Sequence, residues 1–233
     1  MQQFFVEKLE APFLDSKQFQ QCQKVLRMRK GDQIRIVDLA GNGILAEFVD
    51  DNVSLLKEIE PLTWTPKQHK LRLIASLIRT ERLEWMIQKA CECGVDEIVL
   101  LQAERCVVRD FGKREDRKME RLNLIAKEAC EQSYRQYPVS VKGIATMQDL
   151  EQLKSEQNIY ADLGNHDHIV KAIDMGCRSL SVIVGPEGGF SDKERSFFNH
   201  NDWQCVSLGN QVFRAETASM FVCNMVSVCE VVR

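Results

Sequence analysis

The sequence predicts an α/β protein, a mostly parallel sheet with helices on both faces, preceded by a small β-rich region. Three patterns carry that expectation. Beyond residue 70, short β-branched apolar runs alternate with longer segments whose apolar residues recur at helical spacing, the rhythm of crossover units in a parallel sheet. Before residue 60 the rhythm is strand, turn, strand. Between them, Pro61 and Pro66 bracket Thr63-Trp64-Thr65, a linker-like stretch that sets a boundary near residue 68 and divides the chain into domains 1–68 and 69–233.

Phe4 to Glu7 reads as an opening strand and Ser16 to Leu26 as a short helix. In QIRIVD, Ile34 and Ile36 alternate with polar neighbours; Gly41-Asn42-Gly43 is a turn, and Ile44 to Val49 and Val53 to Ile59 follow as strands. This spacing predicts a small barrel or a curved antiparallel sheet. Leu71 to Ile78 is an apolar strand, after which Thr80 is placed to cap a helix burying Leu83, Met86, Ile87 and Ala90, stopped by Gly94. Glu97 to Leu101 is the next strand. From Arg117 a long helix aligns Met119, Leu122, Ile125, Ala126, Ala129 and Cys130 and ends before Pro138. Asn158 to Leu163, Ser179 to Val184 and Gln204 to Leu208 supply further strands. A last helix from about Thr217 aligns Ala218, Phe221, Val222, Met225, Cys229 and Val232.

Composition narrows the function classes. The first residues have no basic start and soon meet charge, unlike a secretory leader, and no uninterrupted apolar stretch approaches bilayer length, so a soluble, cytoplasmic protein is expected. Nine cysteines are scattered without paired spacing, and Cys91 and Cys93 lack a matching pair; reduced thiols and no metal site are the expectation. His166-Asp167-His168 reads as a solvated loop. A net charge of −3 argues against loose, charge-driven binding of bulk nucleic acid. Lys24, Arg27, Arg29 and Lys30 nonetheless cluster with few acids nearby and are suited to phosphate contact, whereas the run from Arg105 to Arg121 mixes seven basic and four acidic side chains and reads as a solvated face.

The stretch SLSVIVGPEGGFS, Ser179 to Ser191, organises the chain. A buried strand runs straight into Gly185, Gly188 and Gly189, and Ser191 and Glu194 have the spacing of a helix-capping box. Glycines allow positive φ and close approach of backbone to a ligand, so a ligand loop is favoured over a turn needed only for packing. In parallel sheets ligands sit beyond the carboxyl ends of the strands, which makes neighbours of the loops Gly164 to Asp167, Gly185 to Phe190 and Gly209 to Glu216. The chain has no early G-x-G-x-x-G, no G-K-[ST] phosphate loop and no G-x-S-x-G elbow, which disfavours dinucleotide, nucleoside triphosphate and serine-hydrolase chemistry.

Ile183-Val184-Gly185-Pro186-Glu187-Gly188-Gly189-Phe190-Ser191, followed by Ser207-Leu208-Gly209-Asn210-Gln211-Val212-Phe213-Arg214-Ala215-Glu216-Thr217-Ala218, closely resembles the paired motifs of the bacterial 16S ribosomal RNA (uracil-N3)-methyltransferases. Supporting segments stand in the right order: Lys24-Val25-Leu26-Arg27 with Gly31-Asp32, Gln88-Lys89 with Glu92 to Val95, Glu104 to Val107, and Ala129 to Ser133 with Arg135 and Pro138. Cys93 and Phe213 depart from the leucines usual in the family, both apolar exchanges. The resemblance spans nearly the whole chain. It implies an N-terminal PUA-like β-barrel that binds RNA and a C-terminal SPOUT-class domain with a trefoil-knotted parallel sheet, against the general rule that chains do not thread. It further implies a homodimer, S-adenosylmethionine as cofactor, and methylation of one uridine in free 16S RNA or the assembled small subunit.

On that reading Leu163, Gly185, Pro186, Glu187, Gly188, Leu208, Gly209, Val212, Phe213, Arg214 and Thr217 hold the cofactor, while Lys24, Arg27, Arg29 and Lys30 contact RNA. Uridine N3 is a poor nucleophile until its proton leaves. Arg214 is the candidate for stabilising charge on the uracil carbonyls. Glu216 is either the proton acceptor or the group that orients Arg214, with a plain salt-bridged pair at a helix start as the competing reading, and Glu187 reads as a loop stabiliser. A related SPOUT enzyme acting on another RNA position, and a non-catalytic RNA-binding assembly factor, are the alternatives.

Overall fold

In a computed structural model, residues 1–11, 13–174 and 176–232 are described. They divide into two compact units, one of Met1–Pro66 with Cys130–Pro138, the other of Lys67–Ala129 with Val139–Arg233.

The first unit holds a four-stranded sheet of β1 (Gln2–Val6), β2 (Gln33–Asp38), β3 (Gly43–Phe48) and β4 (Leu56–Pro61), in that order. Strands β2, β3 and β4 pair antiparallel, but β1 runs parallel to β2, with Phe4 opposite Ile36, so the sheet is not wholly antiparallel as expected. The reason is the connection: the long crossover between β1 and β2 carries helix α1 (Ser16–Gln20), and a crossover permits parallel pairing where a tight hairpin does not. Asp15 caps α1 in a capping box with Gln18, and the helix continues as one π-helical turn, Gln21–Val25. Val53 is not in a strand. The Asp50 carboxylate accepts bonds from the Ser54 and Leu55 amides (2.9 and 2.8 Å) and folds the segment into a turn with Val53 at φ 53°, so that β4 begins only at Leu56. Phe4, Leu14, Cys22, Ile34, Ile36, Ile44, Ala46, Phe48 and Val53 form this unit's core.

The second unit is a six-stranded, wholly parallel sheet. Its strands are β5 (Lys70–Ser76), β6 (Glu97–Leu101), β7 (Ser140–Ala145), β8 (Gln157–Ala161), β9 (Ser179–Val184) and β10 (Gln204–Val206), in the order β10-β8-β9-β5-β6-β7. One face packs Ile74, Val99, Tyr160 and Ile183 against Phe198 of helix α5 (Asp192–His200) and Leu150 of the 3₁₀ turn Met147–Leu153. Alternation along the strands turns their neighbours, such as Leu73 and Val182, to the opposite face. Helix α6 (Ala215–Val232) packs on β5, β9 and helix α2 (Thr80–Glu92). Long and apolar enough by composition to cross a bilayer (mean hydropathy 1.3), α6 goes beyond the sequence expectation, yet it buries Ala218, Val222, Val226 and Cys229 within this layer. Helices α3 (Glu115–Gln132) and α4 (Ile169–Ala172) complete the chain. Thr80 is not the cap of α2: the capping position falls on extended Arg79, and Thr80 is already helical. Gly94 ends α2 at φ 96°, as its lack of a Cβ permits.

On the α2–α3 surface Arg121 grips Glu84 with two bonds of 2.8 Å, and Lys118 adds a third at 3.2 Å. These bonds hold the Glu84 carboxyl down at about 2, from an ordinary value of 4.5. A carboxyl depressed on folding stabilises the fold above its ordinary value and loses that contribution as pH falls toward the depressed one. Glu84→Gln is therefore expected to be less stable than the parent at pH 7, with the gap closing between about pH 4.5 and pH 2 in urea titrations.

Candidate functional site

The order β10-β8-β9 brings the outgoing loops of three neighbouring parallel strands to one edge of the sheet. Each loop contains a glycine at positive φ: Gly164 (126°), Gly189 (65°) and Gly209 (120°). The turns are thus reached at conformations that other residues adopt only with strain. Backbone bonds lace the β8 and β10 loops together, with the Ser207 amide donating to Asp167 O (2.9 Å) and the Ile169 amide to Ser207 O (3.0 Å). Between the loops lies a cavity of about 360 Å³, a size suited to a small ligand.

Nine of the eleven residues assigned to the cofactor line it: Leu163, Gly185, Pro186, Glu187 and Gly188 on one side, Leu208, Gly209, Val212 and Phe213 on the other. Leu163 and Val212 are 63% and 75% exposed, unusual for apolar side chains that border a cleft. Arg214, Glu216 and Thr217 are absent from the lining, although Ala215 and Ala218 on the same turns belong to it. Arg214 is exposed, whereas Glu216 is buried and faces Arg82, not Arg214. The first loop contributes through Ala161, Asp162 and Leu163; Gly164 to Asp167 do not reach the lining. Lys24, Arg27, Arg29 and Lys30 lie exposed on and just after the π-helical turn of the first unit, Arg27 at φ 53°.

Three supports of the site escaped the sequence reading. Asp162 at the end of β8 takes two bonds from Arg195 of α5, at 2.6 and 3.4 Å, and both residues line the cavity. That bond to Asp162, above all, raises the Arg195 guanidinium beyond its already high value, so it stays charged. Arg105 donates to Gly188 O (3.2 Å) and lies so close that a Cβ on Gly188 would stand 3.0 Å from its Cβ. Buried Glu194 ties the two loops: its Oε2 accepts from the Ser191 amide (2.7 Å) in the capping box, and its Oε1 accepts from the Glu104 amide (2.8 Å). Only the capping box was legible, because its partners are three residues apart. Glu104 and Glu194 are 90 apart.

The family profile for an RNA methyltransferase domain matches residues 65–227, the stretch that holds this cleft. The ribosomal RNA small subunit methyltransferase E of Bacillus subtilis is 31% identical, covering 97% of this chain and 96% of its own length. That of Rickettsia conorii is 31% identical over 84% of this chain and 80% of its own. The crystal structure of the Neisseria gonorrhoeae protein of that name, bound to S-adenosyl methionine, superposes with a TM-score of 0.82 at 24% identity, covering 96% of both chains. This chain belongs to the ribosomal RNA small subunit methyltransferase E family.

Removing Glu194 leaves the buried Ser191 amide and the part-buried Glu104 amide without that acceptor. Glu194→Ala should lower stability by at least about 2 kcal/mol in urea denaturation, and Glu194→Gln, which keeps one acceptor, by less.

Proposed function

We propose that the chain is an S-adenosylmethionine-dependent methyltransferase that modifies N3 of one uridine in 16S ribosomal RNA. The observation that carries this reading is the convergence of the three loops into one cavity, in a chain of this family. The residues present fit the cofactor. Exposed Leu163 and Val212 and half-buried Phe213 offer apolar surface to an adenosyl group, and the glycine backbone at 185 and 188 offers N–H and C=O groups with no Cβ in the way. On Gly185 a Cβ would stand 3.1 Å from the Phe190 ring, a tight fit that keeps this wall bare backbone. When bound, S-adenosylmethionine supplies an electrophilic methyl group on a sulfonium.

The remaining work falls to the chain. Glu216, buried at the first turn of α6, takes the N3 proton of the uracil, and the electron pair stays on N3. Arg214, exposed and without an ion pair among the described residues, steadies negative charge on the carbonyl oxygens. Thr217 borders the cofactor from the same turn. In the first unit Lys24, Arg27, Arg29 and Lys30 contact phosphates. The domains divide near residue 68, the first being a PUA-like barrel. The second is a trefoil-knotted SPOUT domain, supported by the insertion of β9 between β5 and β8, both laid down before it. The active form is a cytoplasmic homodimer, and the exposed Val228 and Val231 of α6 give it an apolar surface to bury.

Incubation with labelled S-adenosylmethionine and small subunits lacking the modification is expected to place the label on N3 of a single uridine. Label on another base position or on transfer RNA would overturn the assignment. In the same assay, at saturating cofactor, Arg214→Ala is expected to lose about 10- to 100-fold in turnover, the worth of one charge-assisted bond.

A further inference from the structure

Arg82, on the first turn of α2, stands between two carboxylates, one on the glycine loop that lines the cavity and one on the first turn of α6 behind it. Its Nη1 lies 3.5 Å from Glu187 Oε1 in the glycine loop, and its Nε lies 3.8 Å from Glu216 Oε1 on α6. Both distances are long for a hydrogen bond, so the guanidinium is shared between the two instead of committed to either. Glu187 lines the cavity. Glu216 is 7% exposed, and its Oε2 is enclosed with no hydrogen-bond partner among the described residues. An enclosed carboxylate oxygen without a donor costs free energy, so its retention calls for an explanation, and a role in the reaction supplies one. Arg82 itself is held in place by its helix, which buries Leu83, Met86, Ile87 and Ala90 beneath it.

We propose that Arg82 is a positioning residue for the reaction. Its guanidinium holds Glu187 and Glu216 at a fixed separation, which ties the glycine loop to the first turn of α6. It engages Glu216 through Oε1 alone, so that the enclosed Oε2 keeps a lone pair for an N–H donor of the substrate base. The inference rests on the reading of Glu216 as proton acceptor and adds what keeps that acceptor in place. Arginine suits the task because its planar fork reaches two acceptors from one rigid group, which a lysine ammonium does with less geometric control.

Arg82→Met, Arg82→Lys and Glu216→Gln, measured side by side for kcat, KM for small subunits and Tm, test it. A displacement of about an ångström at a reacting group costs about 100-fold in rate. Arg82→Met is therefore expected to lose about 10- to 100-fold in kcat with KM and Tm near the parent's, and Arg82→Lys to recover part of the loss. Glu216→Gln is expected to lose turnover as well. Parental kcat in Arg82→Met beside an impaired Glu216→Gln overturns the role of Arg82 and leaves Glu216 as acceptor. Parental turnover in Glu216→Gln overturns the acceptor reading and this inference with it. A loss in Arg82→Met that follows a fall in Tm, with Arg82→Lys no better, overturns the positioning role in favour of a bracket that only holds the fold.

Discussion

The parallel pairing of β10, β8 and β9 is the constraint on which the rest of the second unit depends. Parallel neighbours point their carboxyl ends the same way, so three consecutive strands in the sheet deliver three loops to one edge. The register settles which residues meet there: Ala161 pairs with Val184 on one side and Val206 on the other, and the loops that begin after these residues share one cavity. Sliding β8 by a single residue would exchange its two faces and turn Tyr160 out of the core it shares with Phe190 and Phe198. The packing of an aromatic cluster and the placement of the cleft are thus the same fact.

The loops are held by charge as well as by backbone bonds. Asp162 with Arg195 joins the end of β8 to the helix after β9; Glu194 joins that helix to the loop after β6; Arg82 joins α2 to both the glycine loop and α6. Most of these bonds link a helix already fixed by core packing to a loop that is not, and Arg82–Glu216 links two packed helices. The site therefore draws its rigidity from helices that bury their opposite faces, and the loops remain free to present bare glycine backbone and apolar side chains.

Much of this was legible in the residues. SLSVIV reads as a strand because six apolar or small residues lie between turn signals, and β9 spans those same residues, Ser179–Val184. Ser191 and Glu194 announce the start of α5 because a capping box is a local device. β7, by contrast, is absent from the sequence reading: SVKGIA holds a glycine and a lysine, and it becomes a strand because β6 offers it a partner. The parallel pairing of β1 was hidden for a similar reason, since hydrophobic alternation fixes faces and not directions. Arg195 and Arg82 look like ordinary charges on helix surfaces. Their partners lie 33 and more than 100 positions away, and no periodicity connects them. What the sequence supplied for the site was its bare wall; the side chains that brace that wall emerge only from the fold.

Hydrogen exchange in the presence and absence of S-adenosylmethionine tests the central claim, that one cavity formed by the three loops receives the cofactor. Slowed exchange confined to amides of residues 161–167, 185–190 and 207–217 is the predicted result. Protection that falls elsewhere, or on one of these loops alone, would contradict it.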